Sequence, residues 1–240
     1  MERRNALIAR VTVALAALAR LPSTAGSGYF DEEVIKASAS QVDCLKAFNS
    51  ARADAGFQPF LQSRSDIFVE DHATAQAFLN MGCEALRTST PPPNPEKYNA
   101  TIALVAQDGQ LADCDKAVAE IQKARENFSG VPGPYVKGEA PFNNIENVSL
   151  VALYNPKRNA ELDCYYFSCL RDEDSVNRVL VRGLFCASSP IALEQDKHPF
   201  TQEEFTRIEN AKAFVRSAAA SPVPTFYMVA VATACALLAF

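Results

Sequence analysis

Residues 161–186 read ELDCYYFSCLRDEDSVNRVLVRGLFC, and this stretch decides the fold. Glu161 to Phe167 (ELDCYYF) and Val179 to Cys186 (VLVRGLFC) are rich in β-branched and aromatic residues, which suit a pleated, half-buried surface. Between them Arg171 to Ser175 (RDEDS) has nothing to bury and predicts a hairpin tip, its charge keeping an exposed end soluble. If the hairpin centres near residue 175, Cys164 lies opposite Cys186, within the roughly 4.4 to 6.8 Å between Cα atoms that a disulfide tolerates. A register shift of one residue turns Cys164 to the other face.

Working outward, Val148 to Tyr154 (VSLVALY) predicts another strand, broken off by Asn155-Pro156, and Ile102 to Ala106 (IALVA) predicts a fourth, bounded by the Asp108-Gly109 turn. Leu111, Cys114, Val118, Ile121 and Phe128 recur at three- and four-residue spacing and predict a helix. Ser40 with Asp43 three places on has the order of a capping box. Val42, Leu45, Phe48 and Ala55 then share one face and Gly56 supplies the stop, which predicts the first helix. A second helix opens at Asp66, carries Ile67, Phe78 and Leu79, and ends near Gly82 or Arg87. The last begins at Thr201, with Glu204 completing a capping box and Phe205, Ile208, Lys212 and Val215 along one side.

Thr88 to Glu96 (TSTPPPNPE) can be neither helix nor central strand, because each proline fixes φ and lacks a donor. Gly130 to Pro141 holds three Pro and three Gly and predicts an irregular loop. The expected order is helix, helix, strand, helix, three strands, helix. It implies one α+β domain of about 190 residues, with a mainly antiparallel sheet covered by helices on both faces.

The two ends have the order of processing signals. In residues 1–25 Arg3, Arg4 and Arg10 precede the apolar run Val11 to Ala19 and the small residues around Ala25, the pattern of a secretory signal cut after Ala25, or alternatively after Ala19. Arg216 is the last charged residue of the chain. After it come Ser217 to Ser221, two prolines, and the uncharged Phe226 to Phe240. Small triplet, spacer and apolar tail are the order of a glycosylphosphatidylinositol (GPI) signal, with attachment at Ser217 and loss of residues 218–240. As a helix the tail would reach only about 22 Å, against a hydrocarbon core of about 30 Å. A tail-anchored helix is the lesser alternative. The expected ectodomain is residues 26–217.

The whole chain carries a formal charge of −5 over 240 residues. Without the two ends it keeps 19 basic and 27 acidic residues, a net of −8, with no basic stripe to hold a nucleic-acid backbone. Six cysteines remain in that part: Cys44, Cys83, Cys114, Cys164, Cys169 and Cys186. An even count behind a secretory signal predicts three disulfides. Six cysteines permit fifteen pairings. With Cys164 joined to Cys186, Cys169 must find a partner in Cys83, Cys44 or Cys114. The favoured set is Cys44 with Cys114, joining two helices, and Cys83 with Cys169, tying a helix end to the sheet.

There is no G-x-S-x-G, phosphate-binding glycine loop or H-E-x-x-H. The only histidines, His72 and His198, stand beside no nucleophile, so neither an enzyme, a metal nor a cofactor is expected. Asn99, Asn127 and Asn147 each open an N-x-S/T sequon, with Asn147 the weakest candidate for glycosylation.

Cys44 to Phe57 (CLKAFNSARADAGF) resembles the first helix of the SAG surface antigens of Eimeria-type coccidian parasites. Thr101 to Val105, Ala112-Asp113-Cys114, Asn143 to Pro156 and Asp163-Cys164 resemble further blocks of that family in the same order, over about Gln41 to Val215. The resemblance implies a fold related to the CAP (cysteine-rich secretory protein) superfamily, a three-layer α-β-α sandwich. The metal-binding members of that superfamily use two histidines and two glutamates. Position 48 is Phe where their first helix has His, so the tetrad does not carry over. The resemblance further implies a GPI-anchored antigen that binds host-cell surfaces or host immune molecules. A CAP-like carrier of a small lipid or sterol, with the loop from Gly130 to Pro141 bordering its groove, is the alternative.

Overall fold

The computed structural model describes residues 35–63, 72–91, 99–173 and 176–211. Along the chain these form β1 (Ile35–Val42), α1 (Leu45–Asp54), β2 (Leu61–Gln62), α2 (His72–Thr88), β3 (Thr101–Ala106), α3 (Cys114–Lys123), a 3₁₀ turn (Ala124–Asn127), α4 (Ile145–Leu153), β4 (Glu161–Glu173), β5 (Val176–Ser189) and α5 (Gln202–Asn210). The strand order is β1-β4-β5-β3, antiparallel throughout, and β2 runs parallel to β4 at Glu161 and Leu162.

β4 and β5 are the hairpin at the centre of this sheet, and Cys164 pairs with Cys186 in its register. Pairing continues to Glu173 with Val176, so Arg171 to Glu173 belong to β4 rather than to the tip. Alternation sorts the side chains into two cores. Leu162, Cys164, Leu184, Cys186 and Ala103 face α1, α3, α4 and α5. Phe167, Cys169, Phe185, Ala187, Ile102 and Leu104 face Phe78, Cys83 and Ala85 of α2. The result is an α+β sandwich with helices on both sides of the sheet.

Three disulfides staple it: Cys44–Cys114, Cys83–Cys169 and Cys164–Cys186, with Cα atoms 5.4, 5.8 and 4.1 Å apart. These are the pairs that the hairpin register and the placement of the helices favour. Cys44–Cys114 ties α1 to α3, Cys83–Cys169 ties α2 to the sheet, and Cys164–Cys186 crosses the hairpin.

Several elements differ from the sequence reading. Val148 to Tyr154, expected as a strand, lies in α4 and its C-cap. Every residue of α4 except Glu146 is buried, so the segment has no polar face and its apolar run matches neither period. The Asn144 side chain starts the helix by accepting a hydrogen bond from the Glu146 amide at 2.7 Å. The burial has a structural cause, because α4 covers the open edge of β3. The Leu104 amide there donates to the Ser149 hydroxyl at 3.0 Å, which in turn donates to Ile145 O at 2.8 Å.

The expected first helix begins later than Ser40, which lies in β1 opposite Tyr166. Asp43 serves α1 instead, accepting from the Leu45 amide at 3.0 Å. β1 (IKASASQV) has no strand signal of its own, because its alanines and serines carry little strand preference; pairing along β4 supplies what the side chains do not. α3 starts only after Asp113, whose side chain accepts from the Lys116 amide, and Leu111 is 83% exposed. α5 has the expected capping box between Thr201 and Glu204. The proposed signal, the Asp66 start of the second helix, most of the proline-rich loop, Lys212, Val215, Ser217 and the tail lie outside the described residues. No helix among the described residues is long and apolar enough to cross a membrane.

Candidate functional site

The C-terminal turn of α1, the chain from Asn155 to Arg158 and α5 meet in a groove made of two adjoining recesses. One of about 190 Å³ is lined by Arg52, Phe57, Lys157, Arg158 and Arg207. The other, of about 490 Å³, is lined by Lys157, Glu194, Lys197, His198 and Phe200. They share Pro156, Lys157 and Glu204.

Arg52 is the anchor of this region and is 1% exposed. Its Nε donates to Gln58 O at 2.7 Å, and its two terminal nitrogens donate to Leu153 O at 2.9 Å and Asn155 O at 3.0 Å. These bonds use three of the five N–H groups of a guanidinium. The planar group also lies 3.8 Å from the Phe60 ring centroid and 5.6 Å from that of Phe57. Burial lowers its pKa to about 10, so the group keeps its charge at neutral pH. Among the described residues no carboxylate pairs with it; carbonyl dipoles and ring faces balance the charge.

Arg207 of α5 comes to the same ring, with its guanidinium carbon 5.3 Å from the Phe57 centroid. Beside it Gly56 adopts φ +69°, the left-handed conformation that ends α1. One terminal nitrogen of Arg207 pairs with Glu203 at 3.1 Å, while its buried Nε has no partner. Asn155, fully buried, holds the connecting chain by donating to Ser188 Oγ at 3.2 Å and Pro190 O at 2.8 Å, and its side-chain oxygen accepts from the Lys157 amide at 3.0 Å.

In the larger recess Glu194 pairs with both Lys157 and Lys197. Hydrogen bonds from Lys157 and then Lys197 hold its carboxyl down to about 2. Glu204 is engaged with the Thr201 amide and hydroxyl at 2.8 and 3.0 Å. His198, expected in a loop, lies there with Nδ1 3.0 Å from Pro132 O.

The residues singled out by sequence are otherwise dispersed. Phe48 is fully buried beside Phe60, deep in the core. Cys44, Cys164 and Cys186 bring their sulfurs within 4.8 Å of one another, and all three are in disulfides. Asn99 and Asn127 are exposed. Asn147 is 4% exposed; its amide donates to Pro141 O at 2.8 Å and its side-chain oxygen accepts from the Asn127 amide at 2.8 Å. Beneath the irregular loop, Tyr135, Ile102, Phe142, Val148 and Leu193 line an apolar recess of about 300 Å³. The basic groove has no signature in the sequence, since Arg52, Lys157, Arg158, Lys197 and Arg207 come from separated segments and form no stripe. The clue present is Asn155-Pro156-Lys157-Arg158, where a turn signal adjoins two cations.

The comparisons with known proteins agree with this architecture. No curated protein matches the chain. Among solved structures it is similar to the crystal structure of the Eimeria tenella surface antigen protein SAG19, at 18% identity and a TM-score of 0.50, over 72% of this chain and 97% of that one. That likeness concerns the fold. The model of the sporozoite surface antigen (SAG) protein domain matches residues 40–230, most of the sequence, and the chain therefore belongs to the SAG surface antigen family.

Proposed function

We propose that this protein is a GPI-anchored surface antigen that acts by binding, in attachment to host cells, in interaction with host immunity, or in both. Membership of a surface antigen family carries the reading. The order of the two chain ends supports export and a lipid anchor at Ser217. The disulfides support a life outside the cell, each contributing roughly 2 to 4 kcal/mol by constraining the unfolded chain. In this reading the protein is not an enzyme, and exposed Asn99 and Asn127 carry the glycans. Phosphatidylinositol-specific phospholipase C should release it from intact cells. Retention after verified anchor cleavage would overturn the anchor.

The apolar recess under the irregular loop favours a second reading, a carrier of a small lipid or sterol. Native mass spectrometry of the purified protein decides it: a stoichiometric lipid supports the carrier, and a bare mass rejects it.

A further inference from the structure

We propose that the basic groove between α1, Asn155 to Arg158 and α5 binds the sulfate esters of an extended anionic polysaccharide. The inference rests on the binding reading above and names the chemistry of the ligand.

The charge count comes first. Five cations line the groove against two carboxylates, Glu194, which pairs with Lys157 and Lys197, and Glu204, which is engaged by the start of α5; Glu203, outside the lining, pairs with Arg207 and leaves Arg52 and Arg158 as the surplus. This excess of positive charge stands on a chain whose formal charge is −5. In a recess with low-dielectric walls such an excess is felt more strongly than on an open surface.

The placement of the guanidiniums comes second. Arg52 is fixed by three carbonyls and contributes charge that no carboxylate among the described residues cancels. Arg207 rests on Phe57 with its buried Nε unpartnered. Arg158 is exposed at the rim of the same recess. Guanidinium is weakly hydrated and presents its N–H groups as a planar fork, so it pairs well with a weakly hydrated, multi-oxygen anion such as a sulfate ester.

The shape comes third. One oxyanion would occupy only part of the smaller recess of about 190 Å³ and leave the larger one, with Lys197, unused. The two recesses adjoin at Pro156, Lys157 and Glu204, which suits a polymer carrying a second charged group a short distance along.

The test titrates the full-length protein, in detergent, with a heparin oligosaccharide of defined size. Hyaluronate, inorganic sulfate and inorganic phosphate are the parallel arms. Heparin should bind saturably, more weakly as salt rises. Arg158→Glu should weaken it by about tenfold and Lys197→Ala by a smaller factor. Lys123→Glu, which lines neither recess, should leave it unchanged, and all three variants should keep the parent's unfolding midpoint to within a few degrees. Absence of heparin binding overturns the proposal. So does equal binding of hyaluronate, displacement by phosphate as effective as by sulfate, or equal loss with Lys123→Glu. If the parent binds host cells and Arg158→Glu binds them equally well, the groove proposal fails while the binding reading stands. If heparin binds through the groove but no host cell is bound, the converse holds.

Discussion

A terminal nitrogen of Arg52 donates to the carbonyl oxygen of Leu153 at 2.9 Å, joining residues 101 positions apart inside the core. This bond couples the end of α1 to the end of α4. With the bonds to Gln58 and Asn155 it fixes the chain that forms one wall of the groove.

Arg52→Met should therefore destabilise the protein by about 3 kcal/mol, since the buried carbonyls of Leu153 and Asn155 and the partly exposed one of Gln58 lose their donor together. Arg52→Lys should recover only part of this, because an ammonium cannot reach three acceptors in one plane. Urea denaturation of both variants checks the order.

Gly183→Ala places a methyl group 2.6 Å from Leu86 Cδ1 and 3.0 Å from two ring carbons of Phe167. The leucine tip can move, but the Phe167 ring is 1% exposed and packed against α2. A loss of about 1 to 3 kcal/mol is expected, as for other overpacked cores. A lowered thermal midpoint with unchanged disulfides is the readout.

The disulfides should differ in weight. Cys83–Cys169 closes a loop of 86 residues and Cys164–Cys186 one of 22. Loop entropy makes the first worth about 1 kcal/mol more than the second. Paired Cys→Ala variants, compared by denaturant midpoint, measure the difference, and non-reducing peptide mapping verifies the pairs.

Much of this frame is legible in the sequence, and the reason lies in alternation and turn chemistry. The β4–β5 hairpin, the α5 capping box and the β3 strand announce themselves through patterns local to a few residues. α4 does not, because a helix buried nearly all round loses its polar face. β1 does not either, since Ala37 and Ala39 take their strand conformation from pairing with Cys169 and Phe167. The groove was illegible for a third reason: it is assembled from α1, the Asn155 turn and α5, and only the fold brings those cations together.

Glu194 gives the acid limb of the stability curve a specific feature. Its folded pKa of about 2 lies below its ordinary value of 4.5. The stability it supplies is thus complete above about pH 4.5 and disappears as pH falls through about 2. Glu194→Gln should flatten that part of the profile, followed as unfolding midpoint against pH. The effect should be small, since both ion pairs are partly exposed to solvent.

The central claim is that this surface antigen acts by binding, and equilibrium binding of the full-length labelled protein to intact host cells tests it most directly. Saturable binding, displaced by unlabelled protein and reduced about tenfold by Arg158→Glu, is the predicted result. Binding that rises linearly with concentration and is not displaced, on epithelial and immune cells alike, would contradict it.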